Sequence, residues 1–197
     1  MKRRLFVGLP VSRALADMCA VLRNRTTDTH PEDQRFRWIE PENYHITVCF
    51  IGWAQLRWIP ILNKAIRKVT DVTHPLTLLF HGFSWVPDKN PRMIWATFRN
   101  NSGYETLVTR IATSVEGSIP ENTRRHIRIQ KDVQIIPHIT LARVKNIREP
   151  FELPASKDIM QESVRLCNLY ESRLTSGGAV YTTLKQYMLS ETVVRVQ

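Results

Sequence analysis

Two short segments could do acid–base chemistry. His45-Ile46-Thr47-Val48 recurs 93 residues later as His138-Ile139-Thr140-Leu141, each placing an imidazole and a hydroxyl two residues apart. Six histidines and seventeen threonines in 197 residues make such a spacing weak by itself. Chance alone gives roughly half a match per sequence of this composition. Context adds weight, because both copies carry Ile at the second position and Val or Leu at the fourth. In an extended strand the side chains alternate, so His45 and Thr47 share one face while Ile46 and Val48 share the other. The same holds for His138 and Thr140 against Ile139 and Leu141. A buried histidine satisfied by a neighbouring hydroxyl explains one copy well, and two copies in the same context much less well.

Two facing pairs suit displacement at phosphorus. Imidazole titrates near neutrality, so one ring can accept a proton while the other donates one. Threonine hydroxyls and cations can hold the non-bridging oxygens where negative charge develops. The attacking and leaving oxygens lie roughly in line on opposite sides of the phosphorus, which matches two flanking histidines and requires no metal. The competing use, a zinc site, normally takes three or four ligands at recognisable spacing, and H-E-x-x-H is absent. His30, His74, His81 and His126 carry no His-x-Thr pattern, and His74-Pro75-Leu76-Thr77 would put the two side chains on opposite faces. There is no phosphate-cradling glycine loop and no G-x-S-x-G turn.

The elements that must position these residues follow from periodicity. Strands are expected over Lys2–Leu9, Phe36–Glu40, His45–Trp53, Leu76–Val86, Met93–Arg99, Gln134–Val144, Ser163–Arg173 and Val180–Leu189. Val11–Arg25 carries helical spacing with Ser12 as a cap. Gln55–Val69 is helical chiefly beyond Pro60, and Tyr104–Val115 is amphipathic. Thr26–Arg35 reads as a loop, Lys157–Gln161 as a short further helix, and Ser176-Gly177-Gly178 as a hairpin turn. The fold class is α+β, mostly antiparallel, with helices covering the sheets. No low-complexity linker divides the chain, so one domain over 1–197 is expected.

The net charge of +10, with a pI near 10.0, favours a polyanionic partner such as nucleic acid. Arg124, Arg125, Arg128, Lys131, Arg143, Lys145 and Arg148 form a possible phosphate-contacting surface. Cys19, Cys49 and Cys167 lie far apart without a C-x-x-C pair, which argues against a disulfide framework and fits a reducing cytoplasm. After Met1-Lys2-Arg3-Arg4 only Leu5–Leu9 precede Pro10, too short for a signal-peptide apolar segment. No stretch approaches the roughly 20 apolar residues of a membrane span. The expectation is a cytoplasmic monomer that does not engage membranes.

Beyond these local readings the chain resembles the 2H phosphoesterases, in particular the bacterial RNA 2′,3′-cyclic phosphodiesterases, also called 2′-5′ RNA ligases. The resemblance runs over nearly the whole chain. It rests on Arg4-Leu5-Phe6-Val7, Glu42-Asn43-Tyr44-His45-Ile46-Thr47 with Phe50-Ile51-Gly52, and Pro91-Arg92-Met93-Ile94-Trp95-Ala96. It continues through Pro137-His138-Ile139-Thr140-Leu141-Ala142-Arg143 and the ending from Ser172-Arg173-Leu174 through Gly178 to Tyr181-Thr182-Thr183-Leu184.

The resemblance implies a bilobal fold with two antiparallel sheets around a central cleft, and chemistry without cofactor or metal. His45 would protonate the leaving 3′-oxygen as general acid, and His138 would activate water as general base. Thr47, Thr140 and Arg143 would hold the phosphate, and Phe50 would lie near the base. The partner would be RNA with 2′,3′-cyclic phosphate ends, such as tRNA fragments, or cyclic nucleotides. Ligation through a 2′-5′ bond is the reverse chemistry and an alternative role; a basic RNA-binding module without catalysis is another.

Some placements stay open at the level of sequence. Phe6, Trp95 and Tyr181 could stack on bases, although buried aromatics are more often core. Arg143 and Phe50 each lie five residues beyond their histidine, so strict alternation turns both away from the site. Either a bulge or twist re-aims them, or their role is structural. Cys49 falls on the His45 face and could line the cleft, or it packs as a small buried thiol.

Overall fold

A computed structural model describes residues 1–29, 35–121, 135–145, 147, 150–155, 160–175 and 178–190. In chain order the elements are β1 (Lys2–Pro10), α1 (Arg13–Thr29), β2 (Phe36–Trp38), β3 (His45–Gln55), α2 (Ile59–Thr70), β4 (Leu76–Val86), β5 (Met93–Phe98), α3 (Ser102–Ser118), β6 (His138–Val144), β7 (Gln161–Val164), β8 (Leu166–Thr175) and β9 (Gly178–Met188). The strands follow the order β7-β4-β5-β6-β3-β1-β8-β9, with β2 added on β6. All of these pairings are antiparallel. This is the expected α+β class.

The two expected sheets meet at one narrow seam. Only Ile46↔Ile139 pairs β3 with β6, whereas β1 and β3 share nine pairs and β8 and β9 share ten. The hydrogen-bonding path is therefore continuous but curled, and the seam falls at the second residue of both motifs. The core packs beneath it: Ile46, Val48, Ile139 and Leu141 are all buried, together with Leu62 and Ile66 of α2 and Leu107 and Ile111 of α3.

Local chemistry accounts for the helix ends. Ser12 Oγ accepts from the Leu15 N–H at 3.2 Å, the expected cap. The Glu162 carboxylate of β7 then accepts from both the N–H and the hydroxyl of Ser12, at 2.6 and 2.7 Å. Asn101 caps α3 through Tyr104 N–H at 2.9 Å.

Three expectations need correction. The segment after Arg25 stays helical through Thr29, with the Thr26 and Thr27 hydroxyls satisfied inside the helix by the Leu22 and Arg23 carbonyls at 2.9 and 2.6 Å. Gln161 opens a strand rather than closing a helix; 156–159 lie outside the described residues. Ser163–Arg173 is not one strand, since it breaks at Arg165 as the chain crosses from β4 to β1. Thr175 pairs with Gly178; 176–177 of the expected hairpin turn lie outside the described residues, as do 122–134 and 148, which hold most of the expected basic surface.

Tyr104 ties α3 to the first motif: its hydroxyl donates to the Thr47 carbonyl at 2.6 Å from a side chain only 2% exposed. Tyr104→Phe leaves that carbonyl without its partner and should destabilise the fold by about 1–3 kcal/mol. Urea denaturation reads this directly, and an unchanged midpoint would show the bond to be dispensable.

Candidate active site

Both motifs present the alternation their sequences imply. His45 and Thr47 are half-buried while Ile46 and Val48 are buried, and His138 and Thr140 are half-buried while Ile139 and Leu141 are buried. Ile46↔Ile139 in an antiparallel ladder sets His45 across from Thr140 and Thr47 across from His138. An antiparallel pair has a local two-fold axis, and here it exchanges His45 with His138 and Thr47 with Thr140. The sequence echo is thus a spatial symmetry. Diagonal partners of this kind lie on the order of 7–8 Å apart at the backbone.

The ring nitrogens obey the same symmetry. His45 Nδ1 donates to the Asn43 carbonyl at 2.7 Å, and His138 Nδ1 donates to the Ile136 carbonyl at 2.8 Å. A carbonyl only accepts, so each Nδ1 carries its proton and each Nε2 is left to exchange one. Burial holds both rings below the ordinary histidine pKa. For His45 it reaches about 4, with the hydrogen bond to Asn43 opposing the shift and the charge of His138 adding to it. His138 is lowered by burial against the support of Ile136. Both imidazoles are therefore neutral near pH 7.

A bulge in each strand decides the residues five positions on. Thr47 pairs with Gly8 and Cys49 with Val7, leaving Val48 as the extra residue. Thr140 pairs with Trp95 and Ala142 with Ile94, leaving Leu141 as the extra residue. The alternation slips by one at the fourth motif residue of both strands, so Phe50 and Arg143 return to the histidine face. Both are exposed and line the same cleft as His45, Thr47 and Thr140, a cavity of about 370 Å³. Cys49 consequently turns the other way. It is buried, 5% exposed, does not line the cleft, and burial pushes its thiol up to about 12.

The surroundings break the symmetry. The His45 ring sits among Phe6 at 4.7 Å, Tyr181 edge-on at 5.1 Å and Tyr170 at 6.0 Å. The His138 ring lies flat on Trp95, with centroids 3.6 Å apart, and is not in the wall of the cleft that His45 lines. Of the expected base-stacking residues, Phe6 is 2% exposed and stacks on Tyr170, while Trp95 gives one face to His138. Phe50, 43% exposed, and Tyr181 remain open to the cleft.

Four contributors escaped the sequence reading. Gly8 allows the close approach of β1, since a Cβ there would lie 3.3 Å from both His45 Cδ2 and the Phe6 ring. Tyr170 completes the aromatic surround. Arg4 and Arg37 join Arg143 in the cleft wall. The signal for Arg37 was its place between Phe36 and Trp38 in a short strand, but its partner strand could not be read from sequence.

A curled antiparallel α+β sheet with His-x-Thr strands meeting at its seam defines the 2H phosphoesterase class. A family model described as "LigT like Phosphoesterase" matches residues 9–95. The RNA 2′,3′-cyclic phosphodiesterase of Aeropyrum pernix is 30% identical over 159 residues, covering 74% of this chain and 82% of that one. The protein of the same name from Aquifex aeolicus is 24% identical over 198 residues, covering 94% and 97%. In fold the chain is similar to TT0787 of Thermus thermophilus, with a TM-score of 0.79, 24% identity and coverage of 96% and 100%. The chain belongs to the LigT-like phosphoesterase family.

Proposed function

We propose that this chain hydrolyses 2′,3′-cyclic phosphate ends of RNA to 2′-phosphomonoesters, with His45 as general acid and His138 as general base. The observation that carries the reading is the local two-fold at Ile46↔Ile139, which sets each histidine across from the threonine of the other motif. Water would attack phosphorus in line with the 3′-oxygen. His138 would take the water proton, the P–O3′ bond would break, and His45, protonated at Nε2 once the phosphate anion is bound, would pass that proton to O3′. Thr47 and Thr140 would donate to the non-bridging oxygens. The relatives named RNA 2′,3′-cyclic phosphodiesterase support the substrate.

The test is incubation of a short RNA ending in 2′,3′-cyclic phosphate, with and without EDTA. A 2′-phosphate product at a rate indifferent to chelation is expected. A 3′-phosphate product, loss of activity on chelation, or joining to an added 5′-hydroxyl RNA as the main outcome would each refute the reading.

The pH profile follows from the two depressed histidines. Since both free-enzyme pKa values lie below the ordinary 6.5, the limbs of kcat/KM should fall on the acidic side of that value. They would be shared by the pair rather than owned by one ring. A bound phosphate anion favours imidazolium, so the limbs of kcat should lie higher than those of kcat/KM. A kcat/KM profile with both limbs above 6.5 contradicts the burial of the rings.

A further inference from the structure

We infer that Arg4 and Arg37, with Arg143, form a second phosphate subsite that takes the phosphodiester one nucleotide before the cyclic end, making short RNA a better substrate than a cyclic mononucleotide. The inference rests on the phosphodiesterase reading and extends it from the reacting group to the chain behind it. Arg37 of β2 pairs directly with Arg143 of β6. Both are exposed, and both line the cleft together with Arg4 of β1. Like charges directly opposite on neighbouring strands destabilise a sheet, so the pairing calls for an anion between them. Among the described residues no carboxylate lies within ion-pairing distance of any of the three. Glu40 is the only carboxylate among the described residues of the wall, and Arg23 holds it with two hydrogen bonds of 2.6 and 3.1 Å.

Position separates this cluster from the reacting phosphate. Thr140 faces His45, and Arg143 lies three residues on with one residue taken up by the bulge, roughly 7 Å along the strand. Arg37 reaches across the cleft to the hairpin, where a Cβ at Gly178 would lie 3.4 Å from its Nη2. From the third side, Arg4 and Arg143 both act on the Tyr181 hydroxyl, each opposing the upward push of burial. Three guanidinium groups from three strands thus converge one step beyond the histidines. Their planar forks suit a phosphodiester better than a single point charge would.

The experiment compares a 2′,3′-cyclic mononucleotide with a dinucleotide carrying the same cyclic end, using wild type, Arg37→Ala and the Arg4→Ala/Arg37→Ala double variant. Wild type should prefer the dinucleotide, and each substitution should lower kcat/KM on it about tenfold, as loss of a charge-assisted contact does. The mononucleotide value should change by less than about threefold. The salt slope on the dinucleotide should become shallower by about 0.7 per cation removed. Without RNA, Arg37→Ala should melt no lower than wild type, because it removes a repulsion. Equal losses on both substrates would place the arginines at the reacting phosphate, no loss on either would make them inert surface, and a lower melting point would make Arg37 structural; each overturns the inference. If wild type turns over neither substrate, the phosphodiesterase reading fails. Equilibrium binding of the 2′-phosphorylated mono- and dinucleotide by the same proteins then still decides the subsite.

Discussion

His138→Ala and His45→Ala are each expected to lower kcat/KM on a cyclic phosphate end by about 10³-fold, within the range a positioned acid or base supplies. Both variants should keep the fold, since each half-buried ring gives up one hydrogen bond to a loop carbonyl, Ile136 or Asn43. The two losses should not add in the double variant, because acid and base act on one transition state. Their roles are separable by leaving group. A 3′-bridging sulfur departs without protonation, so such a substrate should restore much of the rate to His45→Ala and little to His138→Ala. Rescue of His138→Ala instead would exchange the two roles. Near-normal turnover by either variant would remove histidine catalysis altogether.

Ile139→Ala carries the largest expected effect on stability, a loss of about 2–5 kcal/mol. Ile139 is 1% exposed and Ile46 is fully buried, and together they form the single ladder pair that joins β3 to β6. A cavity there loosens the seam that also aims both imidazoles, so activity should fall along with stability. Ile139→Val should cost only about 0.5–1.5 kcal/mol and leave turnover close to wild type. Guanidinium denaturation of the single and double Ile46 and Ile139 alanine variants tests the joint, since residues in contact give non-additive losses. A loss below about 1 kcal/mol, or strict additivity, would mean that the seam is not a packed junction.

Much of this molecule is legible in its residues. Alternation in His45–Val48 and His138–Leu141 gives two strands with imidazole and hydroxyl on one face and aliphatic side chains on the other, and the structure keeps both. The phase slip left a trace as well. Val48-Cys49 and Leu141-Ala142 are adjacent small or apolar pairs, and Arg143 stands between Ala142 and Val144 where unbroken alternation would bury it. A bulge is a mismatch between two strands, though, and one strand alone does not reveal that Gly8 pairs with Thr47 while Val7 pairs with Cys49.

Residue types and spacing establish which groups can do chemistry: two imidazoles, two hydroxyls and a basic surplus, with a local reason for each His-x-Thr pair to sit in a strand. How they combine is settled only by the folded chain. The two motifs share a common two-fold because the antiparallel register at Ile46↔Ile139 sets His45 across from Thr140. Folding also makes the equivalent histidines different, one among Phe6, Tyr170 and Tyr181 and the other flat on Trp95, through contacts between residues far apart in the chain. Side-chain alternation is a property of one strand, whereas register, bulges and burial are properties of pairs, and so they arise only when the chain has folded.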